Sequence, residues 1–231
     1  MRRIALTGGL GYLVIFFTGI FANFYVLEEY KVAGDASATF QNFAFNSSML
    51  IWAIVAFVAM VVFDLVLTWV LYVLFRQTDE KLSKITAVLR LINAMFFAVA
   101  LIQLVDVLEL VVTPNPSQFA SLQVMEALEQ FNNIWLVGLV FFGIHLTLLS
   151  KLLKLSNQVH KAVPALLFIA GVGYVIDSIL QFTYSGYAEI SELSTMVVVL
   201  PGLIGELSLT GWLLVKAGRS SNSQSKLCIT A

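Results

Sequence analysis

The sequence predicts an all-α integral membrane protein: a bundle of six transmembrane helices, both termini cytoplasmic, with short amphipathic helices at the outer face. Three observations carry this. The 231 residues are 59% hydrophobic and only 12% charged, with a mean hydropathy of +0.91; a soluble domain is nearer half apolar and a quarter charged. The apolar residues gather into six stretches, each long enough to cross a bilayer, for which about 20 residues suffice. Lysine and arginine collect on one side of those stretches.

Composition also excludes. A net charge of −1 leaves no footprint for nucleic acid. The single cysteine, Cys228, rules out an internal disulfide and any Cys-rich metal site. Two histidines, His145 and His160, are too few for a three-histidine zinc centre, although two histidines with one carboxylate stay arithmetically open. No metal-ligating or catalytic set is assigned, and no cofactor is specified. The expected partners are the lipid bilayer and a small-molecule or ion ligand. Oligomeric state is left open.

Arg2 and Arg3 precede the first apolar stretch, Ile4 to Leu27, without a convincing small-residue cleavage site, so it reads as a signal anchor that becomes the first span. Glu28 to Asn46 is a polar loop. The second span is Ser48 to Phe75, and the turn Arg76 to Lys81 leads into the third, Leu82 to Val112. Thr113 to Pro116 breaks the chain. The fourth span is Asn132 to Lys154, the fifth Ala162 to Tyr184 and the sixth Ser194 to Val215, with a loop from Ser185 to Glu192. Residues 1–217 are expected to form a single transmembrane domain, and the Ser-rich residues 218–231 a flexible cytoplasmic tail.

Orientation follows from charge. Arg2, Arg3, Arg76, Lys81, Lys84, Lys151, Lys154, Lys161, Lys216, Arg219 and Lys226 fall on one side, Lys31 falls on the other, and Arg90 lies within the membrane. Basic residues mark the cytoplasmic side. The opposite side carries Glu28, Glu29, Asp35, Glu126, Glu129, Glu189 and Glu192. On that outer side Ser117 is placed to cap a helix whose Phe119, Leu122, Met125 and Leu128 share a face. Asp35 is placed to cap a second, with Phe40 and Phe43 on one face. Both read as short helices at the outer interface, either packed on the bundle or forming a lid over a cavity.

The polar residues within the spans are the most informative feature. A lone guanidinium in hydrocarbon costs roughly 2.5–3.5 kcal/mol on insertion scales, so Arg90 requires a partner. At about 1.5 Å rise per residue, Asp64, Arg90, His145 and Glu206 all lie roughly 12–17 Å from the basic end of their spans. Asn93 is one turn beyond Arg90. Arg90 is expected to pair with Asp64 or Glu206, leaving His145 to hydrogen-bond the remaining carboxylate. His145 has the one side chain there whose ordinary pKa, about 6.5, lies in the physiological range, and it is the expected titrating partner. The plain alternative is an ion-pair network that fixes helix register. A second level lies further out, where Tyr174, Asp177, Gln181 and Tyr184 fall on one face of the fifth span, with Asn23 and Gln103 at similar depth. Glycines punctuate the spans, among them Gly138, Gly143, Gly171 and Gly173, and mark close helix packing. Gly9-Leu10-Gly11-Tyr12-Leu13 is similar to Gly171-Val172-Gly173-Tyr174-Val175, a hint of an internal repeat. Cys228-Ile229-Thr230-Ala231 matches a prenylation box in form only.

Gly8-Gly9-Leu10, Thr18-Gly19-Ile20-Phe21-Ala22-Asn23, Gly138 to His145, Gly171 to Ser178 and Pro201 to Leu209 together resemble a bacterial multi-pass membrane family catalogued as domain of unknown function four-three-eight-six. Its members often start the fifth span with Pro-Arg-x-Leu-Gly, where this chain has Val159-His160-Lys161-Ala162-Val163. The resemblance implies a bacterial inner-membrane protein and brings no activity. Arg90, His145, Asp177 and Glu206 match polar positions of the family.

The expected function is binding or translocation of a small molecule or ion through a buried polar pocket formed by Asp64, Arg90, Asn93, His145, Asp177 and Glu206. One rival is an intramembrane enzyme using His145 with nearby carboxylates, and with Ser178 or Ser208 as nucleophile. The other is a non-catalytic membrane partner or regulator whose charges are structural.

Overall fold

The structure, a computed structural model, describes residues 1–217 except Asn115 and Gln118, and for Glu192 and Thr195 only the backbone. The expected tail, with Arg219, Lys226 and Cys228, lies outside the described residues, as does Asn115 of the expected chain break. All regular structure among the described residues is helical. The helices are α1 (Arg2–Ile20), continued by a π-helical stretch (Phe21–Glu28), α2 (Ala36–Phe45), α3 (Ser47–Phe75), α4 (Glu80–Val112), α5 (Ala120–Ser156), α6 (Ala162–Thr183) and α7 (Tyr187–Val215). All but α2 are long and apolar enough to cross a membrane, which makes six spans. Both ends of the bundle meet on its basic face. There the Arg2 guanidinium donates to the carbonyls of Leu213 and Ala217, each at 3.0 Å, and to that of Leu214. These are carbonyls that a helix C-terminus otherwise leaves without a partner.

The Asp35-capped helix forms as expected. Asp35 Oδ1 accepts from the Ala38 amide at 2.9 Å, and Phe43 is completely buried. Asn42 Nδ2 donates to the Tyr30 carbonyl and Thr39 Oγ1 accepts from the Val32 amide, so α2 is packed down on the end of the first span.

Two expectations at the outer face need correction. Ser117 caps no separate helix. The N-cap is Phe119, without a side-chain bond, and α5 runs unbroken for 37 residues from Ala120 through the fourth span. No glycine or proline interrupts it there, and the buried residues Val124, Ala127, Leu128 and Phe131 continue the same packed face. Phe119 and Leu122, placed on the apolar face from sequence, are instead exposed. Similarly, α7 begins at Tyr187, so most of the expected loop Ser185 to Glu192 is helix. Pro201 lies inside α7, where it removes one backbone donor from the ladder.

Two hydrophobic clusters divide the bundle along its length. The outer one joins the π stretch, α2, α3, α4 and α5, and includes Phe57, Phe97 and Phe131. The Phe97 ring stacks on Trp135 with centroids 3.6 Å apart. The inner one joins α1, α3, α5, α6 and α7 around Leu67, Leu146, Leu167 and Leu213. Asp64 falls between the two along α3. The backbones of α5 and α6 approach closely at a pair of glycines. A Cβ on Gly143 would sit 2.5 Å from the Gly171 carbonyl oxygen, and one on Gly171 2.5 Å from Thr147 Oγ1. Only glycine at both positions permits that crossing, the close-packing device of membrane helices.

Candidate functional site

Among the described residues Arg90 is the largest side chain buried to this degree, at 1% exposure. It projects from α4 into the seam between the two hydrophobic clusters, one face of α4 carrying Ser83, Thr86, Arg90, Asn93 and Phe97 inward. Its Nη2 pairs with Asp64 Oδ1 at 2.5 Å, the partner coming from the middle of α3. Its Nη1 donates to Tyr12 Oη at 3.3 Å and to His145 Nε2 at 3.2 Å. The guanidinium also lies over two rings, 5.3 Å from the centroid of Tyr12 and 5.6 Å from that of Phe142. Cation–π contacts strengthen when desolvated, as here. The ion is thus held by α1, α3 and α5 at once.

His145 is completely buried. Its Nδ1–H donates to the Thr86 carbonyl at 2.8 Å, which leaves Nε2 as the acceptor of the arginine proton. This corrects the expectation that His145 serves a carboxylate. It faces a guanidinium, and protonating Nε2 would bring two cations to 3.2 Å. The partner choice is also settled in part: Asp64 pairs with Arg90, and Glu206 does not. Glu206, on α7, remains within Coulomb reach of Arg90 and Asp64, and its Oε1 is sealed from solvent without a hydrogen-bond partner.

Other polar atoms here are similarly unmet. Arg90 Nε and both amide atoms of Asn93 are buried and unpartnered. A buried polar group left without a partner costs about 1–3 kcal/mol and calls for an explanation. The layer also carries two carboxylates, Asp64 and Glu206, against one guanidinium.

Asp177, expected at a second level, is not brought to Arg90. It accepts from Gln181 Nε2 at 3.0 Å, from Tyr187 Oη at 2.7 Å and from Ser194 Oγ. That cluster joins α6 to the start of α7. Gln103, Asp106 and Glu109 line an outer cleft of about 430 Å³ together with Glu126. Ser178 Oγ is buried without a partner, while Ser208 is exposed on the bundle surface.

Sequence reasoning missed Tyr12, Thr86 and Phe142 as members of the layer. One signal pointed to the first. The phrase around Tyr12 repeats around Tyr174, and both tyrosines reach the layer's charges: Tyr12 touches Arg90, while Tyr174 feels the charge of Glu206 and packs edge-on against Phe142, centroids 5.6 Å apart.

Fold and site define a class: a multi-pass helical membrane protein with a buried, incompletely partnered ion-pair layer. The family model described as Domain of unknown function (DUF4386) matches residues 7–217, and the chain belongs to that family. It is also 30% identical over 179 residues to an uncharacterized protein of Archaeoglobus fulgidus, a match covering 78% of this chain and 92% of the archaeal one. No solved structure matches. An archaeal relative means that the likeness extends beyond the bacterial family expected from sequence.

Proposed function

We propose that this protein binds a small molecule or ion in the Arg90 layer and moves it, or a proton coupled to it, across the membrane. The observation that carries the reading is the set of buried polar atoms without partners, Arg90 Nε, the Asn93 amide and Glu206 Oε1, in a layer with one carboxylate in excess. A proton or a monovalent cation at Glu206 balances the charge, and a polar ligand satisfies the amide and the guanidinium. Arg90 is the fixed counter-charge, Asp64 its permanent partner, and Glu206, rather than His145, the group that loads. His145 holds the guanidinium in orientation through Thr86.

Two facts weigh against the intramembrane enzyme: both His145 nitrogens are engaged, and Ser208 faces away from the bundle. The closed contacts of Arg90 with Tyr12, Asp64 and His145 favour a register-setting network as the second reading.

The test uses protein purified in a neutral detergent and then reconstituted in vesicles. Its unfolding midpoint is followed against pH and against sodium or potassium chloride, and dye-reported ion entry is followed in the vesicles. The expected result is a cation- or pH-dependent midpoint that Glu206→Gln flattens without unfolding the protein, together with flux that the same variant abolishes. An identical response in wild type and Glu206→Gln, with no flux in either, would sink the proposal and move the register-setting reading ahead.

The basic face is assigned to the cytoplasmic side on the lysine and arginine bias alone. A Ser121→Cys variant lacking Cys228 should then react with a membrane-impermeant thiol reagent from outside; reaction only from the cytoplasmic side would invert the topology.

A further inference from the structure

We infer that the groove between α5 and α6 on the basic face is a site for one anionic phospholipid, its phosphate held by Lys151, Lys154 and Lys161. The groove encloses about 890 Å³, within the range of sites that bury small ligands. It begins at Thr147, one turn toward the basic face from the close contact at Gly143 and Gly171. From that crossing the two helices run toward the basic face past Thr147 and Phe168. On the protein side the seam is closed by the Ser150 hydroxyl, which donates to the Pro164 carbonyl at 2.6 Å, and by the buried side chains of Leu153 and Val163. The other flank is open, and Phe168 and Ile169 stand half exposed along it, at the depth of the hydrocarbon.

The polarity of the lining changes along its length. Its membrane-side end is Leu148, Ala165, Phe168 and Ile169; its rim is Lys151, Lys154, Asn157 and Lys161. All three lysines are exposed, and none forms an ion pair among the described residues. Lys151 and Lys154 are three residues apart on one face of α5, and Lys161 caps the start of α6 opposite them. The positive end of the 22-residue α6 dipole lies at the same rim. Asn157 takes a left-handed conformation, φ 50°, which turns the chain from α5 toward α6 and sets its side chain on the rim.

A free phosphate would use the rim and leave the apolar length empty. An apolar ligand would leave three unpaired cations unanswered. A phospholipid matches both ends: phosphate at the lysines, the upper acyl chain along Phe168 and Ile169. Basic pockets between membrane helices on the cytoplasmic side recognise anionic headgroups in this way, each basic residue contributing about fivefold in affinity. This site stands apart from the Arg90 layer and does not depend on how that layer functions.

The test is lipid titration of the detergent-purified full chain, read by native mass spectrometry and by the unfolding midpoint. Phosphatidylglycerol and phosphatidylcholine with the same acyl chains are compared, and inorganic phosphate is a third arm. Phosphatidylglycerol is expected to bind at least about tenfold tighter than phosphatidylcholine and to raise the midpoint, while phosphate does neither. The triple variant Lys151→Gln, Lys154→Gln, Lys161→Gln should weaken phosphatidylglycerol about a hundredfold, and the corresponding arginine triple should retain it. The control Arg76→Gln, Lys81→Gln, on the same face but outside the groove, should bind as wild type. Equal binding of the two lipids, an equal loss in the control, or the same stabilisation by inorganic phosphate would each overturn the inference.

Discussion

Two carboxylates within the spans, the buried Asp64 and the partly exposed Asp177, are satisfied in opposite ways. Asp177 accepts hydrogen bonds from three neutral donors, Gln181, Tyr187 and Ser194, all from α6 or the beginning of α7. Nothing near it needs a charge to complete it, and its effect is to hold one helix end to the next. Asp64 has a single strong partner, the Arg90 guanidinium, which in turn draws on Tyr12 and His145. Around that pair lie polar atoms with no partner at all. A carboxylate saturated by neutral donors is a joint between helices. A carboxylate whose cation and neighbours remain under-satisfied is where a ligand has something to gain.

The sharpest break of this contrast is Arg90→Met. It strands Asp64 in the bundle and should cost about 3–5 kcal/mol of unfolding free energy in mixed micelles. The double variant Arg90→Met, Asp64→Leu should regain most of that loss, because replacing both members of a buried pair is often near neutral. Equal losses in the single and double variants would mean that the pair does not stabilise through its mutual charge. Packing can be separated from charge at the glycine crossing. Gly171→Ala places a methyl 2.5 Å from Thr147 Oγ1 and should cost about 1–3 kcal/mol by overpacking, with the cation response of the layer retained.

A smaller effect is expected at the other carboxylate. Asp177→Asn keeps its shape but turns one accepting oxygen into a donor, facing groups that are themselves donors. The expected loss is about 1–3 kcal/mol, with no change in cation or pH response. A changed response in Asp177→Asn would erase the distinction between joint and site. Smallest is Tyr187→Phe, which removes one of the three donors and should cost about 1 kcal/mol. Hydrogen exchange at the first turn of α7 should report it as local fraying.

Much of this architecture is legible in the chain. Leu82 to Val112 announces a span by its apolar length, and Asp35 announces the cap of α2 through a short side chain just ahead of a helical face. The two failures at the outer face share a cause. Ser117 looks like the cap of a separate short helix, and the polar residues from Ser185 to Glu192 look like loop, but no breaker directly follows either one, and tertiary contacts carry the helix on. For α7 those contacts include the bonds from Tyr187 and Ser194 to Asp177. His145 was placed at the right depth and given the wrong neighbour.

That last case marks the division between sequence and structure. Depth along a span is counted residue by residue at about 1.5 Å each, so the sequence alone determined that Asp64, Arg90, His145 and Glu206 share one level. Rotation and neighbour are not counted that way. They depend on which helices touch and how closely, and here that is decided by contacts such as Gly143 against Gly171 and Arg2 against the end of α7. Only the tertiary structure could decide that Asp64 takes the guanidinium, that Tyr12 and Phe142 flank it, and that Glu206 keeps one buried oxygen, Oε1, without a partner. A carboxylate's depth is written locally, while its partner is chosen by helices distant in the chain.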